Sequence, residues 1–371
     1  MMTAAFHVLH QAEAPATVLP PGIAGGIRAA LDAAAEYIGA TAPNPPVGCA
    51  ILDASGEVLV AAAHQRAGEP HAEVLALRRL GAAGLAARAA TLVVTLEPCN
   101  HTGRTGPCTE AILSSPVRNV WIGSSDPNPH VAGHGAQRLR AAGCIVHVLP
   151  EQFGPEAAAL SHDCAALIAP FRRWSGTGRP WITVKQALDV SGSMIPPPGA
   201  ATFTGSASLR LAHRLRRCTD AIVTGTGTLR ADLPAFTVRH LPDHPGRRRL
   251  LAVLGEAAHL PDNYAEAARA RGLDLHLVPS LDRLLPLLGE ASVLWAMVEA
   301  GPRLLRSLCD AGLWDDWLTI ARPHPSAGDG SPDRLGIVLA PHAGNASPLR
   351  LLPELRDITP HSEEDPCSRA S

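Results

Sequence analysis

Three residues of this chain are good zinc ligands, and a fourth beside them can move protons: His71, Cys99, Cys108 and Glu73. His71 and Glu73 stand in Pro70-His71-Ala72-Glu73. Cys99 closes Glu97-Pro98-Cys99, and Cys108 follows after eight further residues. A catalytic zinc site keeps three protein ligands and leaves the fourth position to water. A carboxylate that is not itself a ligand is then free to carry protons on and off that water. Singly, these residues mean little. Two cysteines in an apolar chain are usually core residues, and the helix dipole alone favours an acid in a first turn. Their setting is what joins them. His71 and Glu73 open an amphipathic segment (Val74, Leu77, Leu80), Pro98-Cys99 directly follows the apolar run Thr91 to Leu96, and Cys108 directly precedes the helical run Thr109 to Leu113. Every ligand therefore falls at a strand end or a helix start, where rigid elements can aim it.

The order His-x-Glu, then Pro-Cys, then a second Cys is the layout of the zinc-dependent base deaminases, with the glutamate as proton shuttle. Many of them carry Pro-Cys-x-x-Cys. Here the cysteines are separated by Asn100 to Pro107, a polar, Gly-containing loop long enough to reach over a substrate. His101 and Arg104 in that loop are candidates to contact a phosphate or a pyrimidine. Spacing alone does not separate this from a solvated loop.

The elements that must position these groups need room. A length of 371 residues suggests two domains, each with its own core. The formal net charge of −2 gives no basic signature of nucleic-acid binding. It does not bear on small anionic substrates, which need only a few local cations. Eight scattered cysteines lack the density of a disulfide scaffold, so a cytoplasmic setting is expected. Residues 1–22 read as a loose leader without the basic-then-apolar order of a signal peptide. No apolar run is long enough to span a bilayer.

Helical spacing of Ile27, Ala30, Leu31, Ala34 and Ile38 predicts a first helix, stopped by Pro43-Asn44-Pro45-Pro46. Strands are expected at 47–52 and 57–63 around the turn Asp53-Ala54-Ser55-Gly56. The zinc-ligand helix and the strand ending at Leu96 follow. Then come a strand over 119–125, a helix over 135–141 and a strand over 144–149. This alternation predicts a three-layer α/β/α domain over 23–150. A helical connector over 151–178 ends at Ser175-Gly176-Thr177-Gly178. A second α/β domain over 179–340 is expected to contain strands at 181–188, 221–224, 250–254, 273–278 and 293–298. Its helices are expected over 206–218 and from Pro302 to about Gly312. Residues 341–371 are Pro-rich and polar and read as poorly ordered.

Over about Ile27 to Pro323 the chain resembles the bifunctional riboflavin-biosynthesis family, a pyrimidine deaminase fused to a reductase. In the first half the resemblance rests on Ala42-Pro43-Asn44-Pro45-Pro46-Val47-Gly48, His64 to Glu73, Thr95 to Cys99, His101, Gly103-Arg104-Thr105, Pro107-Cys108 and Asp126-Pro127-Asn128-Pro129. It implies a cytidine-deaminase-like fold, zinc on His71, Cys99 and Cys108, proton transfer by Glu73, and substrate contacts from Asn44, His101 and Arg104. In the second half it rests on Arg179-Pro180-Trp181, Arg216, Gly227-Thr228, Ala231-Asp232, Phe236 to Arg239 and Val298 to Pro302. There it implies a dihydrofolate-reductase-like α/β fold using NADPH. Arg216, Asp232, Phe236, Arg239 and Glu299 would hold the sugar phosphate of the substrate. Leu188, Phe203, Thr228, Gly301, Pro302, Arg303, Leu304 and Leu305 would hold the cofactor, the last five around a helix N-terminus suited to phosphate.

The implied partner is a small phosphorylated pyrimidine, with no nucleic acid and no membrane, and a homo-oligomer is left open. This second half departs from the family pattern. Ser191 stands where an aspartate is usual, Phe203 where a tryptophan is usual, and Leu233 where a second aspartate is usual, and no final apolar strand is evident after Leu352. These departures motivate an alternative in which the second half is a non-catalytic binding or assembly module. A third reading, deamination of a base within nucleic acid, is disfavoured by the charge balance.

Overall fold

The structure, a computed structural model, describes residues 18–101, 106–128, 132–149, 153–195, 202–323, 332–344 and 346–360. In its first part, α1 (Ile23–Ala35), β1 (Gly48–Asp53), β2 (Val58–Ala63), α2 (Ala72–Ala82), β3 (Ala89–Val94), α3 (Cys108–Leu113), β4 (Asn119–Ile122), α4 (His134–Ala141) and β5 (Ile145–Val148) follow one another. Their five strands form a sheet of order β2-β1-β3-β4-β5. β1 runs antiparallel to both β2 and β3, while β3, β4 and β5 run parallel.

Side chains of a strand alternate between faces, and β1 shows the consequence. Ala50 and Leu52 join a core containing Ile27, Ala30 and Ala34 of α1. Cys49 and Ile51 join a separate core with Ala76 and Leu80 of α2, Ile112 of α3 and Leu139 of α4. Helices thus cover both faces, as the alternating pattern predicts. Contact between α1 and the sheet is backbone-close, because a Cβ on Gly48 would lie 1.8 Å from the Ala30 carbonyl oxygen.

The chain continues through α5 (Gly154–Leu167) and α6 (Ala169–Thr177) into β6 (Trp181–Leu188), α7 (Ser206–Cys218), β7 (Ala221–Gly225), α8 (Thr226–Asp232), β8 (Arg249–Leu254), α9 (Tyr264–Ala270) and β9 (Leu273–Val278). It ends with α10 (Leu284–Glu290), β10 (Trp295–Val298), α11 (Pro302–Asp310), β11 (Asp316–Ala321) and β12 (Arg334–Leu339). The seven strands are ordered β12-β11-β6-β10-β7-β8-β9. β12 is antiparallel to β11, and the other neighbours are parallel. The expected spans of β6, β9 and α7 match the structure. The strand expected over 293–298 begins at Trp295, and the one over 119–125 stops at Ile122, where Ser124 and Ser125 leave the sheet toward the site described below.

Among the described residues no strand follows Leu352, and the closing pair of the sheet is β11 and β12. One expectation fails. The stretch after 341 is not loose throughout, since Leu349, Leu352 and Leu355 are buried. They lie at intervals of three, which suits the turn of a 3₁₀ helix, and Pro348–Leu351 and Pro353–Leu355 are 3₁₀ turns. These leucines share one core with Ile27 and Leu31 of α1, Leu160 of α5, Leu215 of α7 and Trp295 of β10. A continuous apolar core therefore joins the two sheets, with the connector helix α5 inside it. Among the described residues, Cys309 is disulfide-bonded and six cysteines are free, and no helix is long and apolar enough to cross a membrane.

Candidate active sites

His71 is the N-cap of α2 in extended conformation, so its ring projects from the helix start. Cys108 is the first residue of α3, and Cys99 lies in the loop after β3. These elements bring three donor atoms together. His71 Nδ1 lies 3.2 Å from Cys108 Sγ and 3.6 Å from Cys99 Sγ, and all three atoms lie within 4.8 Å of one another. Tetrahedral zinc with Zn–S of about 2.3 Å and Zn–N of about 2.05 Å requires an N···S separation of about 3.6 Å. The donor set and spacing therefore fit zinc. The hydrogen bond with Cys108 draws the Cys99 thiol pKa down to about 4, and the same contact pushes that of Cys108 well up.

Glu73 lies two residues into the helix that His71 caps. It is 2% exposed, and its Oε2 has no hydrogen-bond partner. Burial raises its pKa, with His71 opposing. A buried carboxyl with a free oxygen is equipped to take and return a proton.

A cavity of about 370 Å³ opens over these groups. Asn44 lines it and donates from Nδ2 to His64 Nε2 at 3.1 Å. The direction follows from the other ring nitrogen: His64 Nδ1 faces the Pro70 carbonyl at 3.2 Å and must carry the proton. Burial lowers the His64 pKa, in keeping with a neutral ring. Asn44 Oδ1 is thus left to accept from a ligand. His101 also lines the cavity, whereas Arg104 lies outside the described residues. Glu97 is a support that motif reasoning passed over. Its carboxylate accepts from Ala136 N at 3.0 Å and Gly133 N at 2.9 Å, fixing the start of α4. A Cβ on Gly135 would meet the Pro98 carbonyl oxygen at 2.0 Å, so only glycine lets α4 approach the Pro98-Cys99 turn this closely.

In the second half, Arg216 near the end of α7 grips Glu299 with Nε and, at 2.8 Å, with Nη2. The Arg216 guanidinium also stands 5.9 Å from the Phe236 ring centre. Glu299 is further paired with Lys185 Nζ at 3.3 Å. Burial alone would raise the Glu299 pKa, but Arg216 and then Lys185 outweigh it and hold the group down at about 2. Lys185 was not anticipated, although it is the chain's only lysine, and in so Arg-rich a sequence that was a readable signal. Asp232 and Arg239 lie exposed near this cluster in sequence, and Arg239 N donates to His213 Nδ1 at 3.0 Å.

Gly301 caps α11, whose first turn holds no acidic side chain and no side-chain cap. Its own N–H goes to Thr228 Oγ1 at 3.1 Å. Pro302 has no N–H, and Leu305 N is bonded to the Gly301 oxygen at 3.2 Å while its side chain is buried. Of the expected stretch, therefore, Arg303 and Leu304 are placed to offer backbone N–H groups to an anion, and Leu305 belongs to the core. Leu188 is also buried, and Phe203 is half-buried before α7. Ser191 sits in a turn closed by the carboxylate two residues before it. Asp189 Oδ1 accepts from Ser191 N, Ser191 Oγ and Ser193 N at 2.7–2.9 Å.

The family model for the cytidine and deoxycytidylate deaminase zinc-binding region matches residues 26–124, and the RibD C-terminal domain matches residues 180–324. The riboflavin biosynthesis protein RibD of Aquifex aeolicus is 34% identical over 321 residues, covering 80% of this chain and 86% of its own length. The chain belongs to the RibD family. It is a bifunctional enzyme of riboflavin biosynthesis, with a zinc-binding deaminase half and a reductase half. Among solved structures, Acinetobacter baumannii RibD aligns with a TM-score of 0.66 at 28% identity, covering 84% of this chain and 89% of that one. A Thermotoga maritima diaminohydroxyphosphoribosylaminopyrimidine deaminase/5-amino-6-(5-phosphoribosylamino)uracil reductase aligns with a TM-score of 0.68 at 25% identity, with the same coverage.

Proposed function

We propose that the chain deaminates 2,5-diamino-6-(5-phosphoribosylamino)pyrimidin-4-one and then reduces its ribosyl group to ribityl with NADPH. The observation that carries this reading is one chain holding both a His/Cys/Cys donor triangle beside a buried Glu73 whose Oε2 has no partner and a Lys185–Glu299–Arg216 cluster centred on the buried Glu299. His71, Cys99 and Cys108 would hold zinc, which supplies Lewis acidity that makes water a nucleophile at neutral pH. Asn44 and His64 orient the pyrimidine, and His101 and Arg104 meet its phosphate arm. Glu73 takes a proton from the attacking water and returns it to the leaving nitrogen. Water adds at the amino-bearing carbon and ammonia departs.

In the second half, NADPH would supply hydride to the sugar C1′. Backbone N–H groups of Arg303 and Leu304, with the start of α11, bind a cofactor phosphate, and Thr228, Pro302, Phe203 and Leu188 border it. Arg216, Asp232, Phe236 and Arg239 hold the substrate. The Lys185 ammonium, held by Glu299, gives a proton to the ring oxygen as the sugar opens. We place the deaminase domain at 23–150, the connector at 151–178 and the reductase domain at 179–340, and infer a cytoplasmic setting, where the ligand thiols stay reduced. The test supplies each half separately: ammonia release from the diaminopyrimidine without NADPH, and NADPH oxidation with the deaminated compound. Ammonia release without any NADPH oxidation would leave the second half as a binding module.

A further inference from the structure

We infer that Phe171 of the connector helix α6 is a substrate-binding residue of the deaminase site, the wall against which the flat pyrimidine packs. This rests on the deaminase reading above. Phe171 lines the zinc-site cavity, although every other described residue lining it falls between Pro43 and Asp126. It lies outside the matched deaminase region, which ends at residue 124. Its ring is also the one carbocyclic aromatic among the described residues of the lining. The rest of the cavity is proline, small apolar residues, histidines and hydrogen-bonding groups such as Asn44 and Glu69. A heteroaromatic substrate has two faces to desolvate as well as edges to hydrogen-bond, and an aromatic side chain at the cavity wall supplies such a surface. Phe171 is half-buried, so apolar surface remains there for a substrate to cover.

The helix carrying Phe171 is held from both sides. Arg172 Nη2 donates to Ser124 Oγ of the deaminase half at 3.3 Å. The next residue, Arg173, pairs with Asp315 of the reductase half at 3.3 Å. The preceding helix α5 abuts the end of β4, where a Cβ on Gly123 would lie 2.4 Å from Cys164 Sγ. These contacts fix Phe171 relative to β4 and the loop that follows it. The same ring borders a crevice of about 20 Å³ between the halves, shared with Pro46, Trp295 and Leu351. The deaminase pocket is therefore completed by chain that follows the deaminase domain.

The competing role is that of a filler in this seam, and the experiment separates the two. Deamination and NADPH oxidation are measured for the full chain, for Phe171→Ala and for Phe171→Leu. Zinc content and thermal midpoint are recorded alongside, and the reductase receives deaminated substrate directly. Loss of base stacking on an aromatic ring corresponds to roughly five- to a hundredfold in affinity. The expected result for Phe171→Ala is a rise of that order in KM for deamination, with kcat within about threefold. Phe171→Leu should rise less, because it keeps apolar volume. Both variants should hold zinc and oxidise NADPH like the unmodified protein. An unchanged deamination KM in Phe171→Ala overturns the inference. So does a parallel loss of both activities in both variants, which would mark a seam filler. Absence of deamination in the unmodified protein would instead overturn the function proposed above.

Discussion

Replacing Glu299 by glutamine should damage stability and reduction together. The Glu299 side chain is 9% exposed, and its partners Arg216 and Lys185 are 12% and 17% exposed. Glutamine keeps the shape but leaves both cations without their counter-charge. Removing one member of a buried pair costs about 3–5 kcal/mol, mostly from the charge left behind. The carboxyl's own titration gives a similar figure. Its pKa falls from an ordinary 4.5 to about 2 in the fold, and at about 1.4 kcal/mol per unit this corresponds to about 3 kcal/mol. The sign follows from the depressed value. The stabilisation is present above the unfolded pKa and is lost as pH falls toward 2, where the folded carboxylate is protonated. Urea unfolding at pH 7 should therefore show a lower midpoint for Glu299→Gln. The deficit should shrink as both proteins are taken from pH 5 toward pH 2. NADPH oxidation should drop with it, since Lys185 loses the group that holds it in place. An unchanged midpoint at pH 7, or full NADPH oxidation by the variant, would refute this reasoning.

Cys99→Ser and Cys108→Ser should each lose zinc, whereas Glu73→Gln should retain zinc and lose ammonia release by roughly 10²–10⁴-fold; elemental analysis beside the ammonia assay checks both, and full zinc in either cysteine variant counts against the ligand set. Leu233 holds φ of +42° while 61% exposed. A branched side chain is strained there, so Leu233→Asn should raise stability by about 0.5–1 kcal/mol, and a thermal midpoint that stays put or falls argues against strain. Leu349 is fully buried in the core shared by α1 and α5. Leu349→Ala should cost about 2–5 kcal/mol, and a change below about 0.5 kcal/mol would mean that the segment is dispensable.

How far the sequence could be read depended on how local the determining contacts are. The zinc site was legible because its ligands sit in short motifs at element ends. The strand β6 and the helix α7 were legible because Trp181 to Leu188 and Ser206 to Cys218 carry unbroken periodicity. The strand β11 was not, because it opens on Asp316 directly after Asp315, a pair that looks like a loop. Both are nonetheless buried, taking up Ile182 N, Trp181 Nε1 and Ser347 Oγ from distant parts of the chain. The helix α8 hid in Gly225-Thr226-Gly227-Thr228, which locally reads as a turn. The stretch after 341 reads as loose on its prolines, although Leu349, Leu352 and Leu355 recur at a spacing of three. The contributions of Lys185 and Phe171 depend on which residues lie across the sheet or across the seam, and no local window shows that.

The most direct measurement uses NADPH carrying deuterium at the transferable C4 position, with the diaminopyrimidine substrate and the purified chain. Two successive reactions on one chain predict one ammonia released per substrate consumed and one deuterium at C1′ of the ribityl product. Ammonia with an unreduced, unlabelled pyrimidine, or NADPH consumption without deuterium at C1′, would contradict the two-step assignment.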